Sequence, residues 1–286
     1  MTTPASAHHP TGADPTPDLP AAHPTAESAQ AARAHSFNAA AAQYAANRPS
    51  YPPALFDAIE ELTGRPLTGA RVADIGAGTG IATALLHARG ANVIAVEPGN
   101  GMAAQFRRTL PGIPVIRGTG DDLPLSDASV DLVTYAQAWH WTDPARSVPE
   151  ALRVLRPGGA LALWWNTDAL DVPWIAEAAA RTERFFRIDV SAEKRNVHAA
   201  DPTGLLDFTR RTVRWSRRVP VDTHLANIGS HSVFLVAGAE RTASFLAEER
   251  EHLLRTFPDG VVEEVYEVVL LLAETPACRP PLTPAA

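Results

Sequence analysis

Asp74 and three alternating glycines, Gly76, Gly78 and Gly80, stand between a short apolar run and a helical pattern that opens at Ile81. Glycine admits φ > 0 and lets a ligand come close to the backbone. The free N–H groups at a helix start attract a polar or anionic ligand group. The segment Val72-Ala73-Asp74-Ile75-Gly76-Ala77-Gly78-Thr79-Gly80 thus reads as a strand, a tight loop and a helix N-terminus that cradle a cofactor. Further on, Val93-Ile94-Ala95-Val96 ends in Glu97. A carboxylate about twenty residues past such a loop, at the end of the second strand, can accept both hydroxyls of a ribose.

The spacing helps decide which cofactor. The dinucleotide fingerprint asks for glycine at position 81, where this chain has Ile81. Asp74 would oppose a pyrophosphate but can hold a ligand ammonium, directly or through water. S-adenosylmethionine carries an ammonium, a sulfonium and no phosphate, so the acidic loop fits it better than it fits NAD.

His140 lies between Trp139 and Trp141, just past a fourth candidate strand. Ligands of open α/β sheets bind outside the carboxyl ends of the strands. An imidazole there titrates near neutrality and can take a proton from an acceptor hydroxyl. A hydrogen-bonded structural histidine in an aromatic wall is the competing reading. Met102 reads equally as core or as an adenine contact. Arg210, Arg211, Arg214, Arg217 and Arg218 form a charge run that reads as a solvated strand face.

Alternating elements must position these residues. Candidate strands are 71–75, 92–96, 115–117, 130–135 and 160–165; candidate helices are 80–89, 101–110 and 144–155. The strands are apolar with little alternation, as expected when both faces are covered. Strand–helix alternation implies a parallel sheet with right-handed crossovers. Asp143-Pro144 is a helix start, and Arg156-Pro157-Gly158-Gly159 is a stop before the next strand. Ahead of the sheet, 36–62 reads as two helices broken at Arg48-Pro49-Ser50-Tyr51-Pro52-Pro53. Behind it, 174–186 reads as a helix, 208–221 as a late strand, 230–255 as helical with a break at Gly238, and 261–273 as a last strand.

The 286 residues, 45% hydrophobic with a formal net charge of −7, suit one domain with additions. Such an acidic chain has no global pull toward nucleic acid or anionic membrane. Cys278 is the single cysteine, which excludes an internal disulfide and makes a thiolate metal site implausible. No metal is expected. The start of the chain lacks the layout of a signal peptide, and no apolar run reaches the ~18 residues of a membrane span. A reducing, cytoplasmic location is expected.

In order and at matching spacing, several segments resemble the class I S-adenosylmethionine-dependent methyltransferases. Asp74 to Gly80 resembles their first motif. Val96-Glu97-Pro98, with Met102 after it, resembles the ribose-and-adenine segment. Gly118-Thr119-Gly120-Asp121-Asp122-Leu123-Pro124 resembles the loop that reads the adenine edge, with Asp121 favoured over Asp122. Ser126 to Val133 and Leu155-Arg156-Pro157-Gly158-Gly159 resemble the segments that follow. Tyr44 with Arg48-Pro49-Ser50-Tyr51-Pro52, then Val96-Glu97-Pro98, then Ala136-Gln137-Ala138-Trp139-His140-Trp141, resemble a small-molecule subgroup related to the trans-aconitate and "type 11" methyltransferases.

The resemblance implies an α/β, Rossmann-like seven-stranded sheet with helices on both faces, an N-terminal helical lid and a late helical insertion. With 1–33, rich in Ala, Pro, Thr and His and without apolar periodicity, read as a disordered tail, the chain divides into that tail, a lid (34–66), a methyltransferase domain (67–275) and a second tail (276–286). The domain's cofactor half is 67–165, and its acceptor-pocket and late-strand half is 166–275. The resemblance implies S-adenosylmethionine as cofactor, held by Asp74, Gly76, Ala77, Gly78, Gly80, Glu97, Pro98, Met102, Gly120, Asp121, Gln137, Tyr44 and Arg48, with His140 as candidate base. It also implies a small-molecule acceptor, with a hydroxyl or carboxylate favoured. A nucleic-acid methyltransferase and a non-catalytic S-adenosylmethionine-binding protein are the alternatives.

Overall fold

The computed structural model describes residues 45–187 and 204–276. The two tails, the first lid helix up to Tyr44, and Cys278 lie outside them. The described chain forms α1 (Pro53–Thr63), β1 (Arg71–Ile75), α2 (Ile81–Ala88), β2 (Asn92–Val96), α3 (Asn100–Thr109), β3 (Val115–Ile116), β4 (Val130–Ala136) and a 3-10 turn (Trp139–Trp141). It continues through α4 (Pro144–Val154), β5 (Leu155–Asp168), α5 (Pro173–Phe186), β6 (Thr209–Pro220), α6 (Val221–Ile228), α7 (Ser232–Ala237), α8 (Ala239–Thr256) and β7 (Val261–Glu274).

The seven strands lie in one sheet, ordered β3-β2-β1-β4-β5-β7-β6. Pairing is parallel from β3 through β5, and β7 runs antiparallel to both β5 and β6. The order reverses between β1 and β4, which opens a crevice at their carboxyl ends. Both faces of the central strands are covered. One face packs Leu55, Phe56, Val72, Leu86, Phe106, Trp164 and Leu270 into a core with α1, α2 and α3. The other packs Ile75, Val96, Val133, Tyr135, Leu161 and Trp165 against Val148, Ala151 and Val154 of α4.

Local chemistry explains the element ends. Gly64 closes α1 in the left-handed region (φ 61°), its N–H bonding back to Glu60 and Glu61 carbonyls. The Asp143 carboxylate caps α4 by accepting from the Ala145 N–H at 3.1 Å. The late insertion is α7 and α8, broken at Gly238 and packed on α5 through Phe186, Phe234 and Phe245. The buried Glu249 of α8 takes both Arg181 Nε (2.7 Å) and a second guanidinium nitrogen (2.6 Å) from α5.

The structure departs from the expected elements in three places. β5 begins at Leu155, directly off α4, and Arg156 to Gly159 form an irregularity within the strand rather than a stop before it. Helix α6 fills a stretch for which no element was expected. The arginine run is not wholly a solvated face. Arg211, Arg214 and Arg218 make exposed ion pairs, whereas Arg217 turns inward to Glu264, which is 2% exposed. No helix among the described residues is long and apolar enough to cross a membrane.

Candidate functional site

The glycine loop lies at the carboxyl end of β1, and its three glycines are required for different reasons. All have positive φ: 65° at Gly76, 60° at Gly78 and 94° at Gly80. A Cβ on Gly76 would sit 2.5 Å from the Ala138 methyl, and one on Gly80 would meet Leu110 at 2.5 Å and Phe106 at 2.9 Å. Gly78 has no heavy atom within 4 Å of that position. Gly76 and Gly80 are thus spent on packing, while Gly78 offers its backbone to open space. Beside it, the Thr79 hydroxyl is buried with no hydrogen-bond partner among the described residues.

Glu97 ends β2 against this loop. Its two oxygens accept from Gly78 N–H at 2.8 Å and Gly99 N–H at 2.6 Å. Burial raises its pKa, against those two hydrogen bonds and the nearby Arg117. Asp74 lies beneath the loop, fully buried. Its oxygens accept from the hydroxyls of Thr83 at 2.5 Å and Thr134 at 2.9 Å. Burial lifts its pKa to about 6, opposed by those hydroxyls and reinforced by Glu97. Asp74 is fully buried beneath the loop, so it acts on a ligand ammonium through the loop or a water rather than by direct contact.

Pro98 is exposed and Met102 is buried at the start of α3. In the next loop, Gly120 is packed tightly, since a Cβ there would lie 2.8 Å from the Tyr135 hydroxyl oxygen. Asp121 is half-buried, and its Oδ1 accepts from Asp143 N–H (2.9 Å) and Ser147 Oγ (2.5 Å) at the start of α4. Asp122 is exposed. Arg153 of α4 fastens the rest of this loop, donating to the carbonyls of Leu123 (2.9 Å) and Leu125 (2.8 Å).

Gln137 follows β4 in the left-handed region (φ 56°), a conformation that non-glycine residues adopt sparingly and that clusters at functional sites. Its Nε2 donates to the Tyr51 hydroxyl at 3.4 Å. Tyr51 in turn meets the Trp164 ring edge-on, with centroids 5.8 Å apart. His140 lies at the exposed rim of the 3-10 turn, its ring 4.7 Å from that of Trp141. The surrounding protein disfavours its cation and lowers its pKa to about 4.

The segment from Asn47 to Tyr51 crosses the carboxyl ends of the late strands and is tied to them repeatedly. Arg48 donates to the Ser230 carbonyl (3.3 Å) and Arg217 to that of Asn47 (3.1 Å). Asn166 donates to that of Ser50 (3.2 Å). Underneath is a polar cluster that the sequence reading missed. Glu264 accepts from Arg217 Nε at 2.5 Å and pairs with His224 Nδ1 at 2.7 Å. Burial alone would raise the Glu264 carboxyl, but the bonds to His224 and Arg217 outweigh it and hold it at about 2. Strand parity was the available signal: Arg217 shares its side of β6 with Val213 and Trp215, and Glu264 its side of β7 with Val262 and Tyr266.

Two cavities open elsewhere, one of about 270 Å³ between α5 and α8, the other of about 330 Å³ at the amino ends of β1 and β4. Neither touches the glycine loop, and ligands of such sheets bind at the opposite, carboxyl ends.

A reversed-order sheet with a glycine loop, a second-strand carboxylate and an anchored third loop defines a Rossmann-like enzyme of the transferase kind. A family model for the methyltransferase domain matches residues 73–163. An uncharacterized methyltransferase of Mycobacterium bovis is 38% identical over 223 residues, covering 78% of this chain and 87% of that protein. The chain belongs to the class I S-adenosylmethionine-dependent methyltransferases. Over a shorter stretch, 34% of this chain and 42% of the relative, it is 37% identical to a demethylmenaquinone methyltransferase of Clavibacter sepedonicus. A solved structure described as that of a type II methyltransferase from Anaeromyxobacter dehalogenans shares the fold. It has a TM-score of 0.57 and 24% identity, covering 80% of this chain and 99% of that one.

Proposed function

We propose that this enzyme moves a methyl group from S-adenosylmethionine to a small-molecule acceptor bound under the Asn47–Tyr51 segment. When bound, the cofactor supplies a methyl on a positively charged sulfur, open to in-line attack by an acceptor heteroatom. The observation that carries the reading is Glu97, a carboxylate 6% exposed and held against the N–H of Gly78, the glycine that faces open space. Ribose hydroxyls would take over the acceptor capacity that Glu97 now gives to Gly78 and Gly99. Met102 and the Gly120–Asp121 loop would border the adenine, with Pro98 at the outer edge. Gly76, Ala77 and Gly80 shape the loop, and Thr79 brings to it a buried hydroxyl that lacks a partner among the described residues. Asp74 and Glu97 add two buried carboxylates, which favour a cationic ligand.

Gln137 would lie beside the reacting methyl, Tyr51 and Arg48 would form the lid, and the family resemblance assigns Tyr44 to it as well. Most of the rate then comes from holding donor and acceptor in line, an effect worth about 7–11 kcal/mol in well-oriented systems. An acceptor that must lose a proton would need a base, and exposed His140 is the candidate at the rim. The demethylmenaquinone methyltransferase relative takes a small molecule by its name, which supports a small-molecule acceptor here. A cytoplasmic location is part of the same reading.

Isothermal titration with S-adenosylhomocysteine tests the cofactor site. Glu97→Ala should weaken binding by roughly tenfold, as loss of a charge-assisted hydrogen-bond acceptor does; an unchanged dissociation constant removes Glu97 from the site. Labelled S-adenosylmethionine in a metabolite extract, read by mass spectrometry, tests the acceptor class: a labelled product of low mass is expected. Label appearing only on nucleic acid or protein would refute the small-molecule reading.

A further inference from the structure

Two buried polar atoms at the far end of the Asn47–Tyr51 segment lack a hydrogen-bond partner among the described residues: Asn227 Oδ1 and His231 Nε2. Asn227 is 3% exposed. Its amide is fixed in one sense, because its NH2 donates to Tyr266 Oη at 3.2 Å and to Glu264 Oε1 at 3.4 Å. The carbonyl oxygen therefore points elsewhere, with no donor to meet it. Buried groups in native proteins are nearly always paired, and an exception calls for an explanation. Here two exceptions sit in one turn of chain, on either side of Ser230, whose carbonyl receives Arg48.

That position links the pair to the reaction centre. Arg48 reaches Ser230, and three residues later Tyr51 reaches Gln137 at the end of β4. Three residues of extended chain span at most about 11 Å. The turn that carries the pair and the residue at the end of β4 are thus joined through one short stretch of chain.

We propose that Asn227 and His231 form a distal subsite of the acceptor pocket, and that it takes an uncharged hydroxyl group of the acceptor. This rests on the methyl-transfer reading above. Asn227 Oδ1 needs a donor. A hydroxyl donates to it and keeps lone pairs, so it can complement the imidazole nitrogen. A carboxylate has no proton to give and would lie near the Glu264 charge. An ammonium has no lone pair and would approach the cations Arg48 and Arg217. His231 offers no counter-charge to an anion, since burial, and then Arg48 and His224, keep its pKa well below the ordinary value.

Matched six-carbon probes test this: 1-hexanol, hexanoate and hexylamine, titrated by ligand-observed NMR against the full chain saturated with S-adenosylhomocysteine. Hexanol should bind best, and Asn227→Leu and His231→Phe should each weaken it by roughly fivefold, one hydrogen bond's worth. His231→Phe should also leave the melting temperature unchanged or raised, because it removes a buried polar atom without a partner. If Asn227→Leu fails to fold through loss of its Glu264 and Tyr266 bonds, His231→Phe still decides. The proposal is overturned if hexanoate or hexylamine binds as well as hexanol, if none binds, or if neither variant changes hexanol affinity. A separate S-adenosylhomocysteine titration of both variants should match the parent protein. Failure of the parent itself to bind that ligand would refute the cofactor reading instead and is thereby distinguished.

Discussion

Replacing Asp74 by Asn tests whether the carboxylate under the glycine loop is a burden the fold carries for its ligand. Asp74 is fully buried, and burial first of all raises its pKa from 3.8 to about 6. Each pKa unit corresponds to about 1.4 kcal/mol, so the ionised group costs the folded state roughly 3 kcal/mol at pH 8. The amide removes the charge but can accept from only one of Thr83 and Thr134 as before. The other hydroxyl must turn, at about 1 kcal/mol; Thr134 has the Ala73 carbonyl 3.5 Å away as a poor substitute. The net gain is roughly 1–2 kcal/mol, or about 2–4 °C in melting temperature for a chain of this size. The sign depends on pH. A folded-state pKa raised above the unfolded value means the parent's acid form is fully stabilising below 3.8, an advantage lost as pH rises through about 6. Thermal melts at pH 8 should therefore favour Asp74→Asn, and melts at pH 5 should show the gain gone. S-adenosylhomocysteine affinity should fall in the same variant, because a carboxylate facing the loop favours a cationic ligand. A variant less stable at pH 8, or equally more stable at both values, would refute the assignment of strain to this carboxylate.

Gly76→Ala and Gly78→Ala separate packing from access. The first meets the Ala138 methyl at 2.5 Å and should lower the melting temperature more, while the second meets nothing and should chiefly lower S-adenosylhomocysteine affinity. Gln137→Gly relieves a left-handed backbone (φ 56°), so it should stabilise by about 1 kcal/mol in urea unfolding while lowering turnover through loss of the Tyr51 contact. Glu264→Gln leaves the part-buried Arg217 beside a neutral amide and should cost about 3 kcal/mol at pH 7. With the carboxyl held from 4.5 down to about 2, that contribution is present above 4.5 and lost as pH falls through about 2, so parent and variant urea midpoints should converge in acid.

What could be read from the chain follows from how local each interaction is. β1, β2, α2 and α4 were legible because their apolar runs, glycines and Asp143 cap act within a few residues. Gly64 and the break at Gly238 were legible for the same reason. Helix α6 was missed because its buried face, Val221, His224, Leu225 and Asn227, mixes polar and apolar residues and blurs the helical period. β5 ran past its expected start because the Pro157-Gly158-Gly159 signal marks an irregularity that the neighbouring strands bridge. In the loop region the residues expected near a cofactor do gather at the carboxyl ends of β1, β2 and β4. What single residues do there was less legible: Asp121 is tied to α4 and Asp74 to two threonines, partners 26, 9 and 60 positions away.

The late polar cluster shows why an acceptor pocket is harder to read than a cofactor loop. The loop's geometry is set by positive φ values, which leave glycines in the sequence. The proposed pocket would be shaped by Arg217 with Asn47 and Arg48 with Ser230, contacts that span 170 and 182 positions. Arginine near a carbonyl leaves no local trace, and in Arg217's case four exposed arginines around it disguise the one that turns inward. The same contacts bind the roof to the floor. Each runs from the Asn47–Tyr51 segment to β6 or to the turn after α6, so moving that segment breaks them together. An acceptor entering beneath it must replace what it displaces. The Asn227 side-chain oxygen and His231 Nε2, which lack partners among the described residues, then gain a bond from an incoming hydroxyl without first giving one up.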